Sequence, residues 1–403
     1  MAKASTQPRF LSRRLASLVT ALLVVSTTSV VARAQWGGGG SLYTENGVEI
    51  AVDARVATLF TMLNALGYDV ETKKGPPPLE RPQFTEARTK ARSSLGRPGA
   101  GLRGFEKAVE GAPASSTTYT DAVLALGAAP RFDAPKGAKG LTPKLSDAMR
   151  AFYNEEGGST AVRQVADLSK DAQKELLNPL NDVTKNLVKL VRLGDEEEQL
   201  LDDTGPQGRV LVAVNLLDAH GALHRSKIGG TTTVVVGPRA TTKDLDRAVH
   251  AVALSFARTL VEREVQKAAV AGTLADRFKG LSSTTKNNGA TSDAKSFASE
   301  LVACGLVRAL VHADACASSP LASDDSVKDL LPLMTTRAKE WIDDTTLLQE
   351  AVAVLLAVPA PEAPPPATDA APATAPTAPT STTPSPAAPP ATPLPPKGGV
   401  KKP

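Results

Sequence analysis

The chain has 403 residues, of which 42% are apolar and 22% are charged, and its formal net charge is +4. The positive excess comes from residues 1–34, which hold five of the 46 basic residues and none of the 42 acidic ones. The remaining 41 basic and 42 acidic residues balance, so the electrostatic footprint of a nucleic-acid-binding protein is missing. We therefore expect no nucleic acid among the partners.

The amino terminus has the order of an export signal. Lys3 and three arginines precede an apolar stretch, residues 15–31, which closes on Ala32-Arg33-Ala34. This order predicts a secretory signal peptide over residues 1–34, cleaved before Gln35, and a periplasmic or secreted protein. A retained anchor is the alternative, but the stretch is shorter than the roughly 20 residues that span a bilayer. We expect no stable membrane span after cleavage.

Composition divides the rest of the chain into three segments. Residues 35–42 form a glycine-rich spacer, and residues 43–358 have a globular composition with room for a subdivision near residue 205. Residues 359–403 hold 16 of the 31 prolines, together with alanine and threonine, and are predicted to be a disordered tail. The tail is either a cell-wall spacer or a flexible end.

The first half of the globular segment favours helices. A strand is predicted over residues 48–52, followed by a helix over residues 54–66 with Asp53 as its N-cap. The other helices predicted in this half cover residues 85–95, 119–126, 145–153 and 161–193, the last bent or broken before Pro179.

The second half begins with the strongest strand signals. Residues 209–214 and 231–236 are β-branched runs bounded by glycine, and they leave room for a wide hairpin or a third strand near residues 224–228. Helical patterns follow over residues 242–271, 294–313 and 327–356. The predicted fold class is α+β, predominantly helical, with a small β-sheet and a central helix.

The central helix carries His250. A zincin hydrolase needs His-Glu-x-x-His on a helix, so that two histidines bind zinc and the glutamate polarises its water. Three stretches resemble a family of exported bacterial zincin-like domains. They are residues 48–56, residues 212–217 leading to 234–238, and the His250 helix with residues 306–309. The resemblance implies a zincin-like core.

The metal motif departs from the family pattern. His250 matches the first histidine, but Ala251 stands in place of the general base and Leu254 in place of the second ligand. The third ligand of the family would fall near Cys304, with Glu300 one turn earlier. Alanine cannot move a proton and leucine cannot ligate zinc. We expect no catalytic residues, no cofactor and no zinc, with His250, Glu300 and Cys304 as vestiges. The favoured interpretation of His250 taken alone is an ordinary core or groove histidine.

Two other clusters are weaker candidates for metal binding. His220 and His224 would need a turn between them to share one ion, and we interpret them as loop histidines. The acidic run at residues 195–198, followed by Asp202 and Asp203, could attract calcium but lacks the alternation of an EF-hand loop. A solvated helix start or loop is the favoured interpretation of that run.

The only two cysteines, Cys304 and Cys316, can pair in an oxidising compartment. Twelve positions of continuous helix would hold them about 18 Å apart, so a disulfide requires the chain to turn between them. The sequence gives only a weak turn signal there, at residues 312–315.

The sequence predicts an exported, non-catalytic protein on a degenerate zincin-like scaffold, with a binding or envelope-structural role. Its partner would be a protein or an envelope polymer. Two alternatives remain open: an envelope hydrolase with an unrecognised active site, and a helical adaptor tethered by its proline-rich tail. The groove beside His250 discriminates, because convergent acidic and histidine side chains favour an enzyme and apolar filling favours an inert scaffold.

Overall fold

The computed structural model describes residues 40–66, 82–93, 99–110, 116–191, 210–218, 221, 223–228, 231–238, 242–268, 270, 272–286, 288, 290–343, 352–353 and 355–357. All of them belong to one compact unit, residues 1–359, and none to a second unit, residues 360–403. The predicted signal peptide and tail, most of the glycine-rich spacer, His220 and the acidic run lie outside the described residues.

A five-stranded mixed sheet forms the centre of the unit. The strands are β1 (Leu42–Tyr43), β2 (Val48–Ala51), β3 (Val210–Val214), β4 (Leu223–Ile228) and β5 (Thr231–Val236). Their order is β1-β2-β3-β5-β4. The central pairs β2–β3 and β3–β5 are parallel, while β1 and β4 pair antiparallel at the two edges. Strand β3 is an apolar run that is buried along its whole length, and β5 is buried from its second residue onwards, as is typical of parallel strands covered on both faces.

Helices account for most of the fold, so the α+β, predominantly helical class is confirmed. In the amino-terminal half they are α1 (Ala54–Ala65), α2 (Pro82–Ser93), α3 (Ala100–Val109), α4 (Ser116–Leu124), α5 (Leu141–Glu155), α6 (Gly158–Leu168) and α7 (Lys170–Val191). In the carboxy-terminal half they are α8 (Thr242–Lys267), α9 (Thr273–Gly280), α10 (Ser283–Lys286), α11 (Ala294–Leu310) and α12 (Leu330–Asp343).

Two helices following the sheet position the candidate site. Helix α8 packs on β3, β4 and β5, and α11 packs against α8. The interior turns of α8 are almost wholly apolar and buried, including Ala251, Val252, Ala253 and Leu254, each 0% exposed. A helix that is apolar on most sides must be enclosed on most sides. The predicted central helix therefore lies between the sheet and α11.

The N-cap of α1 forms as its sequence predicts. Asp53 accepts hydrogen bonds from the backbone N–H groups of Arg55 and Val56, at 2.8 and 3.2 Å. The Arg55 guanidinium also bonds to the same carboxylate and donates to the carbonyls of Leu124 and Leu126. One cap thereby ties α1 to the end of α4.

Three sequence-based expectations differ from the structure. The helical region 161–193 breaks at Ser169, not before Pro179, which lies inside α7. Leu176 and Leu180 are buried on either side of this proline, so packing outweighs the one backbone hydrogen bond that it removes. Helix α3 was not predicted. Of the two alternatives for residues 209–236, the wide hairpin is excluded because β3 and β5 are parallel, and the third strand is present as β4.

Within the described part of the chain, no helix combines the length and apolar character needed to cross a membrane.

Candidate functional site

The candidate site is a groove along the edge strand β4. A first cavity of about 590 Å³ lies over the start of α8, and a second of about 780 Å³ lies beside it. Leu223, Arg225 and Ser318 line both cavities, so they adjoin. We refer to the two cavities together as the β4 groove.

The first cavity contains His250. Its imidazole stacks on that of His312, with ring centroids 5.6 Å apart and planes inclined by 10°. Asp246 lies one turn before His250 on α8, and Asp314 follows His312 in the loop after α11, and both line the cavity. His312 was not singled out by the sequence, because it lies far from His250 along the chain.

Partial burial lowers the pKa of His250, and the neighbouring His312 lowers it further, while Asp246 and Asp314 act in the opposite direction. Two stacked imidazoles disfavour a charge on both rings. The neutral form of His250 is therefore favoured over a wider pH range than in a free histidine.

Two positions that would complete a zincin motif do not contribute to the groove. Ala251 and Leu254 are both 0% exposed and belong to the hydrophobic core. Leu254 lies one turn after His250, where a second ligand would stand, and apolar packing encloses it. Among the described residues, no group of three or more histidine, cysteine, aspartate or glutamate side chains could hold a metal ion.

Glu300, the nearest acidic residue to the third-ligand position, is engaged by two arginines. Arg225 on β4 donates to its carboxylate at 2.7 and 3.2 Å, and Arg258 on α8 donates at 3.2 Å. The Glu300 side chain is 0% exposed. Burial alone would raise the pKa of Glu300, but the two arginines, and a hydrogen bond with Ser319, outweigh it and lower that pKa. The carboxylate is ionised and occupied.

Neither Arg225 nor Arg258 was predicted from the sequence as a site residue. Arg225 lies within the predicted third strand, and Arg258 interrupts the apolar run 251–261. A charged residue inside an otherwise buried helical stretch is a usable signal, because arginine is almost never buried without a partner. The identity of that partner, 42 residues away along the chain, could not be read from the sequence.

Cys304 is joined to Cys316 by a disulfide, with their Cα atoms 5.1 Å apart. Helix α11 ends at Leu310, and turns over residues 311–318 bring Cys316 back against Cys304. The bridge fixes the loop that carries His312 and Asp314. Cys304 itself is buried in the core and does not line the first cavity.

The second cavity contains His224. The sequence-based interpretation of His224 as a loop residue is wrong, because it lies on β4 and its Nε2 atom is 2.9 Å from the Asp121 carboxylate on α4. The carboxylate is partly buried, which by itself raises its pKa, but hydrogen bonds and charge from His224, with a bond to Ser226, leave the pKa lowered.

No protein-family model, curated protein or solved structure gives a significant match to this chain. The lining of the β4 groove includes three histidines, three aspartates and several cations, besides apolar side chains such as Leu223 and Ile228. It therefore fits neither a wholly inert scaffold nor a complete metal centre.

Proposed function

We propose that this chain is an exported binding protein on a degenerate zincin-like scaffold, and that its ligand is an extended polypeptide segment lying in the β4 groove. The observation that carries the proposal concerns β4. All six consecutive residues of this strand, from Leu223 to Ile228, line the second cavity.

Consecutive residues of a strand point to opposite faces of the sheet, so a cavity that touches all of them lies along the strand edge. Among the described residues β4 pairs only with β5, which leaves its other edge towards this cavity. An open strand edge offers backbone N–H and C=O groups to an extended peptide.

The non-catalytic part of the proposal rests on α8. It presents His250 to the groove, while the positions of the general base and second ligand hold core residues. Export is supported by the signal-like amino terminus and by the Cys304–Cys316 bridge, since disulfides persist in oxidising compartments. The tail over residues 359–403 would then serve as a tether or spacer outside the cell.

Binding can be tested on the chain from Gln35 to Pro403 with a displayed library of random peptides, followed by calorimetry on synthetic copies of the selected ones. Thr284 and Ser283 supply a matched pair, because both are exposed on α10 but only Thr284 lines the second cavity. We expect Thr284→Trp to abolish binding and Ser283→Trp to leave it unchanged. Equal effects of the two substitutions, or no selected peptide, would overturn the proposal.

An envelope hydrolase is the second candidate, and the contents of the first cavity favour it. The stacked pair of His250 and His312 shares this cavity with Asp246 and Asp314, and such a combination of acidic and histidine side chains is typical of an active site. Elemental analysis after purification without chelators, combined with peptidase assays, discriminates between the two. One equivalent of zinc together with hydrolysis that His250→Gln abolishes would replace the binding function by the catalytic one.

A further inference from the structure

The cluster formed by Arg225, Arg258 and Glu300 carries an unbalanced charge. Both guanidinium groups share the single Glu300 carboxylate, and the side chains are 8%, 3% and 0% exposed, respectively. Among the described residues, neither arginine has a second acidic partner in an ion pair. One net positive charge is left in a nearly dry environment, where an uncompensated ion is costly.

The unused donors are located on Arg258. Its Nη1 atom donates to Glu300, whereas Nε and Nη2 are buried and without a hydrogen-bond partner. By contrast, all three nitrogens of Arg225 are bonded, with Nε donating to Ser255 at 2.9 Å and the other two to Glu300. Buried side-chain donors without partners are uncommon in folded proteins, so this edge of Arg258 calls for an acceptor.

The geometry of the Arg258 edge formed by Nε and Nη2 indicates which kind of acceptor would fit it. The N–H groups on Nε and Nη2 of one guanidinium are nearly parallel, which matches the two oxygens of a carboxylate or phosphate. Arg258 itself lines the second cavity. The Ser318 hydroxyl, which is also buried and without a partner, comes from a residue that lines both cavities.

The other charged groups of the second cavity are already paired. Lys227 forms an ion pair with Glu262. The Asp121 carboxylate is held by a hydrogen bond with His224, and this bond becomes an ion pair only when His224 is protonated. The remaining polar lining consists of neutral donors, including Ser226, Thr232 and Asn288. An anion bound beside Arg258 would therefore meet one cation with unused donors and several hydroxyl or amide groups, while the Asp121 carboxylate of the same cavity would repel it.

We propose that the second cavity is a binding subsite for an anionic group of the ligand, a carboxylate or a phosphate, held by Nε and Nη2 of Arg258 and by the Ser318 hydroxyl. The subsite rests on the proposed function in one respect, since it assigns an acidic residue to the peptide along β4. It also predicts binding of the isolated anions themselves.

The test uses sodium acetate and inorganic phosphate as probes, each titrated into the chain from Gln35 to Pro403 at constant ionic strength set with chloride. Tm and calorimetry are the readouts. We expect a saturable rise in Tm with at least one of the two anions beyond that in chloride. The anion that binds more tightly identifies the ligand group. A Tm that follows ionic strength alone would overturn the subsite.

Arg258→Lys keeps a cation beside Glu300 but lacks the paired N–H edge, so it should weaken anion binding at least tenfold. Arg131→Lys is the matched control, because Arg131 is exposed and lies outside the groove. If Arg258→Lys does not fold, Ser318→Ala tests the same subsite. This variant should fold, because the Ser318 hydroxyl makes no hydrogen bond that the substitution would remove. We expect a several-fold weaker affinity there, and unchanged affinity in the folded variants would overturn the subsite.

Failure of the subsite and failure of the proposed function give different results. A selected peptide whose binding Thr284→Trp abolishes, but which neither phosphate nor acetate displaces, would leave the binding function standing without the anionic subsite. Anion binding without any peptide that enters the groove would support the subsite and overturn the peptide-binding function.

Discussion

Arg225 on the edge strand β4 and Glu300 on helix α11 are joined by two hydrogen bonds of 2.7 and 3.2 Å, although 75 residues separate them along the chain. This pair ties the edge of the sheet to the second layer of helices. The Glu300 carboxylate, which the sequence suggested as a vestigial metal ligand, is instead engaged in ion pairs with Arg225 and Arg258.

Glu300→Gln should be strongly destabilising. The substitution leaves Arg225 and Arg258 buried without a counter-ion, and breaking a buried pair in this way costs about 3–5 kcal/mol in the free energy of unfolding. Urea unfolding monitored by circular dichroism measures the loss. Asp171→Asn, which removes an exposed partner of Lys174, should cause no measurable change. A Glu300→Gln variant as stable as the wild type would contradict the assigned role.

The same carboxylate should make stability depend on acid. The pKa of Glu300 is lower in the folded chain than in the unfolded one, so its contribution is full above the unfolded value of about 4.3. That contribution is lost as the pH falls through the folded pKa. Unfolding free energies measured from pH 7 down to pH 3 should therefore decline, and the decline should be shallower in Glu300→Gln. Parallel curves for the two proteins would exclude Glu300 as a source of the acid sensitivity.

The stacked histidines predict a second, milder pH effect. The pKa of His250 is lowered by burial and then by His312, so the unfolded chain binds a proton more readily than the folded one. Stability should begin to fall as the pH drops below about 6.5, the pKa of an unperturbed histidine, and fall further until the folded pKa is passed.

His312→Asn should raise the pKa of His250, because it removes the neighbouring positive charge without adding another. Titration of the His250 ring protons by nuclear magnetic resonance measures the pKa of this residue in the wild type and in the His312→Asn variant. An unchanged pKa of His250 in the variant would contradict the electrostatic coupling of the two rings.

The disulfide should stabilise the chain and resist reduction while it is folded. Cys304 and Cys316 are 0% and 1% exposed and lie 12 residues apart in sequence. A closed loop of that size contributes roughly 3 kcal/mol through the entropy of the unfolded chain. Urea unfolding of the Cys304→Ala, Cys316→Ala double variant should reveal a loss of this order.

Alkylation followed by mass spectrometry checks the state of the cysteines independently. Without reductant, the unfolded wild-type protein should take up no alkyl group. With reductant, labelling should appear only under conditions that also unfold the chain, because both sulfurs are buried. Rapid labelling of the native protein would contradict the buried bridge.

Local sequence patterns predicted much of the fold. The β-branched runs became β3 and β5, and Asp53 caps α1, because a strand preference and an N-cap depend on residues that are neighbours along the chain. The helical pattern of α8 was likewise readable, because its apolar residues, including Ala251 and Leu254, recur at helical spacing and are buried in the core. The break at Ser169 was missed because propensity favoured a break at Pro179, whereas packing decided.

The sequence by itself determined a signal-like amino terminus, a proline-rich carboxy terminus and a predominantly helical α+β unit. The degenerate zincin motif around His250 stays a prediction. Only the tertiary structure decided which distant side chains meet. It stacked His250 on His312, gave Glu300 to Arg225 and Arg258, and left two nitrogens of Arg258 without an acceptor. The physical reason is that helical and strand periodicity is a local property of the chain, whereas charge pairing across the core depends on how the elements pack.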